Sequence, residues 1–543
     1  MPHKSEYDVV IRSGTIYDGL GGSPTSGDLA LTGDRIAAVG HLGRARGRKE
    51  IDAAGMAVAP GFINMLSWAG ESLIEDGRSQ SNIRQGVTLE VLGEGRSMGP
   101  LSEEMKAEAA ERQNRIRYDI EWTTLGEYLE WLVARGVSCN VASFVGATSV
   151  RIHALGYANR PPAPGELEQM CGLVRQAMVE GAVGLSSALL YAPACYAEND
   201  EIVALARAAA EYGGLYISHI RDEGNHLLAA LGELIGVARA AGIAAEVYHL
   251  KASGRANWPR LGDAIALIEE ARAEGLRITA DMYTYPASAT GLDVAMPPWV
   301  QEGGHRAWVE RLRDPAIRER VAGEMATPND EWENTYLSAG SAEKVLLVGF
   351  RSEALKHLTG KTLAEVARMR GTSPEETAID LVIEDDSDVG AIYFTMSEEN
   401  VRRQIALPWV SFGSDGASQA PEGVFLQASP HPRAYGTFAR LLGKYVREER
   451  VIPLAEAIRR LTSLPAENLK LQGQGRLAAG CLADVVVFDP ERIEDHATFD
   501  RPHQYSTGVE HVFVNGVQVL ECGEHTGAQP GRVVRGPGWR GWR

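Results

Sequence analysis

The chain has 543 residues, of which 44% are hydrophobic and 23% charged, and its formal net charge is −18. That length calls for one large domain with a smaller companion, and that composition for a folded globular protein. So acidic a balance argues against nucleic acid or an anionic membrane as a partner.

The N-terminal residues MPHKSEYDVVIRSG pass directly into strand-like alternation, without the apolar stretch of a signal peptide. No run of about 20 apolar residues occurs anywhere in the chain, so no membrane span is expected. The five cysteines, at 139, 171, 195, 481 and 522, include no CxxC pair, which disfavours a disulfide framework or a four-cysteine zinc site. The simplest reading is a reduced, cytoplasmic protein.

Residues 1–61 read as short strands punctuated by Gly and Asp, as in YDVVIRSGTIYDG and DLALTGDRIAAVG. From 62 to 466 the pattern changes. Short apolar runs (GVTLEVLG, SCNVASFVG, AVGLSSALL, GLYISHI, AAEVYHL, RITADMY, PWVSFGSDG) alternate with helical stretches such as LEQMCGLVRQAMVEG and LGDAIALIEEARAEG. About seven or eight such units predict a parallel (β/α)8 barrel. The rhythm breaks around 293–350, which reads as an insertion over one barrel end, a candidate lid. Residues 467–543 are β-rich again (GRLAAGCLADVVVFDP, HVFVNGVQVLECG). The predicted class is therefore α/β: a (β/α)8 TIM-like barrel with a small β-sandwich domain formed from both chain termini.

In a barrel, functional side chains sit at the C-terminal ends of strands. His219 ends YISHIRDEG and His249 ends EVYHLKASG, each followed by a polar, Gly-containing loop. Two imidazoles at equivalent ends of consecutive strands face one mouth, and imidazole nitrogen is a good zinc ligand. Asp415, in WVSFGSDGAS, is placed to take and return a proton. Glu94, just past an early strand, shares its parity with Glu90 but lies nearer the rim, and is the candidate third ligand. Lys251, Arg255, Asn257 and Arg433 add basic and amide groups, and Tyr191, Tyr283, Tyr285 and Ser288 add hydroxyls. Arg and Lys pair well with a carboxylate-bearing substrate. No GxGxxG, Walker, GxSxG or HExxH pattern is present, which leaves nucleotide-binding and serine-hydrolase readings without support.

The residues carry a family resemblance. YDVVIRSGTIYDGLG, VAPGFI, GLSSALLYAPACYA, SHIRDEG, YHLKASGRANW, DMYTYPASAT, FGSDG, HPRAYGTFARLLGKYVRE, LTSLPAENLKL and GRLAAGCLADVVVFDP resemble the amidohydrolase superfamily, closest to its N-acyl-D-amino-acid deacylases (D-aminoacylases). The resemblance implies a barrel with a small β-sandwich, amide hydrolysis and zinc. It also implies His219 and His249 as metal ligands, Asp415 as the catalytic carboxylate, and Lys251, Tyr191, Tyr283 and Ser288 as pocket residues. Two departures strike the metal centre. The family's His-x-His pair falls on Leu66 and Trp68 in PGFINMLSW, and its metal-binding cysteine falls on Gly95 in GEGR. Some N-acetylglucosamine-6-phosphate deacetylases also lack the His-x-His pair, and resemblance to them implies one zinc held by a glutamate and two histidines, a set that Glu94, His219 and His249 would reproduce.

The expected function is that of a metal-dependent hydrolase cleaving the amide of an N-acyl amino acid, with one zinc rather than two and Asp415 as base and acid. Leu66 and Trp68 are expected to fill the vacated metal position with apolar bulk and to line the substrate pocket. The expected partner is a small amide bearing a carboxylate, with neither nucleic acid nor membrane, and the sequence is compatible with a homo-oligomer. Two alternatives remain at this stage: a non-hydrolytic reaction on the same scaffold (cyclisation, isomerisation or elimination), and a metal-free binding protein.

Overall fold

A computed structural model of the chain describes residues 7–328, 331–386 and 389–541. The apolar runs of the middle segment form eight strands: Phe62–Asn64, Val87–Leu92, Asn140–Ser143 (carried on as Val145–Gly146), Gly184–Ala188, Leu215–His219, Ala244–Val247, Ile278–Met282 and Val410–Phe412. Neighbours pair in parallel throughout. The last strand closes on the first, where the Met65 N–H donates to the Phe412 carbonyl at 3.2 Å and the Asp415 N–H to the Leu66 carbonyl at 2.9 Å. This is the predicted barrel.

The runs are almost unbroken in hydrophobicity because both faces of each strand are covered. Inside, Ile63, Met65, Leu66, Leu89, Val91, Phe144 and Tyr248 pack into one cluster. Outside, helices cover the sheet. In helix Leu227–Ala241 the buried residues Leu227, Leu231, Leu234, Ile235 and Ala238 fall on one face, and Gly242 ends the helix in a left-handed conformation.

The two chain ends build one β domain, as expected. Its nine strands form a single hydrogen-bonded sheet that branches at Tyr7–Ile16, which pairs with Thr25–Thr32, Gly47–Asp52 and Ala57–Pro60. Residues from both arms, among them Leu29, Ile51, Val58, Val485 and Phe513, share one core, so the arms pack against each other as the layers of a sandwich do. The tail then leaves this domain. The N–H groups of Gly531, Val534 and Gly536 donate to the carbonyls of Val137, Val141 and Gly181 at 2.8, 2.8 and 2.9 Å, along the N-terminal side of the barrel. Residues 467–543 therefore do not all belong to the β domain.

The insertion is larger than 293–350. It begins with strand Ser288–Gly291, which pairs antiparallel with Gly390–Tyr393; that strand in turn pairs with Val345–Gly349. It carries helices as far as Pro374–Glu384 and its own core, including Leu292, Trp308, Leu347, Leu381 and Tyr393. Short apolar runs of this kind do not reveal whether they join a parallel barrel or an antiparallel cap. All five cysteines are free. Among the described residues, no helix is long and apolar enough to cross a membrane.

Candidate functional site

The strand ends deliver their side chains to a cavity of about 640 Å³ at the C-terminal mouth of the barrel. Its lining includes Trp68, Glu94, Tyr191, His219, His249, Lys251, Tyr283, Ser288, Asp415 and Arg433. Ten of the eleven predicted site residues are thus brought together. Leu66 is not among them: it is 1% exposed and packs in the barrel interior with Ile63 and Met65. Trp68, two residues further on, is the one that reaches the cavity. Of the wider polar set, Tyr285 donates to Asp495 at 2.6 Å and Asn257 to Asn225 at 3.1 Å, and neither these two nor the exposed Arg255 lines the cavity.

The backbone holds two of these residues in unusual conformations. His249 has φ +34° and Asp415 φ +47°, the left-handed region that costs a non-glycine residue about 1 kcal/mol or more. Such strain persists only where surroundings fix it. The His249 N–H donates to Asp281 Oδ1 at 2.8 Å, and the Asp415 N–H is bound to Leu66. Asn64 supports the same wall from below. It donates to Glu90 at 2.8 Å and to Ser414 Oγ at 2.9 Å, and accepts from the Ser414 N–H at 2.7 Å. Glu90 is wholly buried beneath the rim, as its parity predicted.

Glu94 lies at the centre of the cluster. Its Oε1 is 3.1 Å from His219 Nδ1 and 3.1 Å from His249 Nε2. Ligand atoms of Glu94, His219 and His249 all lie within 4.8 Å of one another. A carboxylate with two imidazoles is a donor set suited to zinc, and the second ring nitrogen of His219 is buried without a hydrogen-bond partner. The three residues therefore fit a divalent cation. Position 95 could not supply the cysteine ligand with this backbone. Gly95 has φ +60°, and a Cβ there would lie 2.4 Å from Ala188 Cβ; the longer side chain of Glu94, one residue earlier, is the one that reaches the two imidazoles.

Trp68 departs from the expected apolar filler. Its indole N–H is shared between Glu94 Oε2 at 2.9 Å and Asp415 Oδ1 at 3.1 Å. The ring is half exposed, standing between the two carboxylates and the cavity. The other Asp415 oxygen is 2.8 Å from Arg433 Nη1, an ion pair too poorly aligned to count as a hydrogen bond. Burial pushes the Asp415 carboxyl above its ordinary range, although Arg433 pulls the other way. Burial alone would raise Glu94 too, but His219 and His249 more than offset it and hold this carboxyl well below the usual range.

Two acids that the sequence reading did not single out complete the site. Glu223, on the loop after His219, accepts from Lys251 Nζ at 2.5 Å and lies 3.2 Å from His249 Nδ1. Lys251 Nζ is itself 2.7 Å from His249 Nδ1, so the three side chains form one buried cluster. Glu333 comes from the insertion and accepts from the Glu223 N–H at 2.5 Å. Burial, with Glu223 and Asp222 nearby, pushes Glu333 up to about 8, so it is neutral at pH 7. The RDEG loop carried a visible signal for Glu223; nothing local marked Glu333. Around Tyr283 two cations converge, with Arg433 Cζ 4.6 Å and Lys251 Nζ 5.7 Å from the ring centre.

A closed parallel barrel with a carboxylate, two imidazoles and an aspartate at its mouth defines a class of metal-assisted hydrolases. Comparison with known proteins agrees. Residues 49–520 match the model of the amidohydrolase family, and the chain belongs to that family. More particularly, it is 34% identical over 533 residues to an N-acyl-D-glutamate deacylase of Alcaligenes xylosoxydans xylosoxydans, covering 98% of this chain and 97% of that one. The structure resembles that of an N-acyl-D-glutamate deacylase from Bordetella bronchiseptica complexed with zinc and a phosphonate inhibitor, a mimic of the reaction tetrahedral intermediate. The TM-score is 0.80 at 32% identity, over 97% of this chain and 99% of that one. A D-aminoacylase with a binuclear metal centre, described by one-metal activation and second-metal attenuation, gives a TM-score of 0.82 at 31% identity, over 97% and 100%.

Proposed function

We propose that the protein is a one-zinc hydrolase that cleaves the amide of an N-acyl-D-amino acid. The observation that carries this reading is the convergence of Glu94, His219 and His249 within 4.8 Å beside Asp415, in a cavity that also holds Lys251 and Arg433. The deacylase relatives support the substrate class, and the one-metal activation of the D-aminoacylase supports a single ion.

Glu94, His219 and His249 would hold the zinc. Bound there, zinc supplies Lewis acidity, polarising the acyl carbonyl and making a water acidic enough to attack at neutral pH. Asp415 accepts the proton of the attacking water as the new C–O bond forms. It then delivers that proton to the amide nitrogen as the C–N bond breaks, and the acid released gives its remaining proton to the amine, leaving a carboxylate and an ammonium. Trp68 and Arg433 hold one Asp415 oxygen each, fixing the carboxylate for both transfers. Arg433 and Lys251 flank Tyr283 and bind the free carboxylate of the amino-acid half, with Ser288 and Tyr191 adding hydroxyls. Glu223 keeps Lys251 and His249 in place.

The test is a screen of N-acetyl-D- and N-acetyl-L-amino acids against zinc-loaded protein, with free amine as the readout. Hydrolysis of D substrates is expected. Silence on both series with zinc bound would turn the reading to a non-hydrolytic reaction on the same scaffold.

A further inference from the structure

A second cavity, of about 610 Å³, adjoins the first and shares Trp68, Glu94 and Arg96 with it as walls. Its size is within the roughly 300–1,000 Å³ of pockets that enclose a small organic ligand. Met98, Leu101, Met105, Ile116, Ile120 and Ile152 give it an aliphatic wall, whereas the first cavity has Leu190 as its one large aliphatic side chain. Beside that wall stand Arg96, Arg112, Arg115, Glu71, Glu94 and Glu108.

The helix Glu103–Arg112 is the telling element. None of its residues is fully buried, although it carries Met105, Ala109 and Arg112 at positions i, i+4 and i+7 of one face. That face would ordinarily pack on protein. Here it lines the second cavity, and Tyr157 ties the helix down by donating to Glu108 at 2.8 Å.

We propose that this second cavity is the acyl chamber and that the protein takes N-acyl groups of medium to long chain. The inference rests on the deacylase reading and adds the identity of the acyl arm. An amide has two arms, and the reacting carbonyl belongs beside Glu94 and Asp415. The arm with the carboxylate goes to the cavity that holds Lys251 and Arg433. The apolar arm has the aliphatic wall of the other cavity, which it reaches past Trp68, the residue standing in the slot of the family's second metal-binding histidine. Each methylene seated there strengthens binding by roughly threefold to fourfold.

The test compares N-acetyl, N-octanoyl and N-dodecanoyl derivatives of one D-amino acid. In parallel, binding of acetate, octanoate and dodecanoate to the zinc-loaded protein is followed by tryptophan fluorescence. We expect kcat/KM and fatty-acid affinity to climb with chain length, on the order of tenfold for every two methylenes. Met105→Trp and Ala109→Trp, each filling the chamber from the surface helix, should flatten both gradients. Hydrolysis of the acetyl compound without any gain from length would overturn the chamber while leaving the deacylase reading intact. A gradient that survives both substitutions would overturn its location. If no N-acyl substrate is cleaved, the deacylase reading fails and the binding arm decides: octanoate binding weakened more than tenfold by both substitutions upholds the chamber, and its absence overturns it.

Discussion

Trp68 makes a polar contact at the position where the family resemblance puts a metal-binding histidine. The stretch PGFINMLSW predicts apolar bulk at 66 and 68. Leu66 is buried in the barrel core, while the Trp68 indole bridges Glu94 and Asp415 through one N–H. A hydrogen bond to a charged group contributes roughly 1.5–3 kcal/mol, enough to fix which way each carboxylate faces. Two outcomes follow for single residues. Asp415→Asn should lower kcat by about 10²- to 10⁴-fold, the ordinary share of a general acid–base group, while zinc content stays unchanged. A protein that merely binds its ligand would be indifferent to this change. Trp68→His should still bind one zinc, because Leu66 offers no imidazole; two zinc ions per chain, measured by metal analysis, would refute this account of the slot.

The insertion, at the scale of elements, does more than cover the mouth. Through Glu333 it contacts the loop that follows His219, so cap and barrel meet in a hydrogen bond beside the site. Glu333 has its pKa raised from 4.5 to about 8, so the folded state holds a proton that the unfolded chain has released between those values. Stability contributed by the neutral acid is present below about 4.5 and is lost as pH rises toward 8, by up to ~1.4 kcal/mol per pH unit. Glu333→Gln should flatten that decline. Urea melts of both proteins from pH 5 to 8 measure it, and equal slopes would contradict the burial argument. What the sequence made legible also sorts by element. Barrel strands announced themselves as short apolar runs, and His219, His249 and Asp415 followed from lying at strand ends. Glu94 followed from strand parity. The antiparallel strands of the cap, Ser288–Gly291, Val345–Gly349 and Gly390–Tyr393, read the same as barrel strands because periodicity does not encode the partner. Glu333 and the Trp68 bridge depend on contacts between residues over 20 positions apart, which no local pattern carries.

At the scale of the whole molecule, two chain ends make one β domain, the middle makes the barrel, and the tail returns to brace the barrel's far side. That frame is shared with the deacylase relatives across nearly the full length. At the mouth, Glu94, His219 and His249 lie within 4.8 Å of one another, and two cavities meet across Trp68 and Glu94. The central claim is that a single zinc, held by Glu94, His219 and His249, supports hydrolysis. The most direct test titrates chelator-free protein with zinc while counting bound metal and amide cleavage together. Activity should rise in step with zinc and saturate at one ion per chain. Full activity with no zinc bound, or saturation only at two ions per chain, would contradict it.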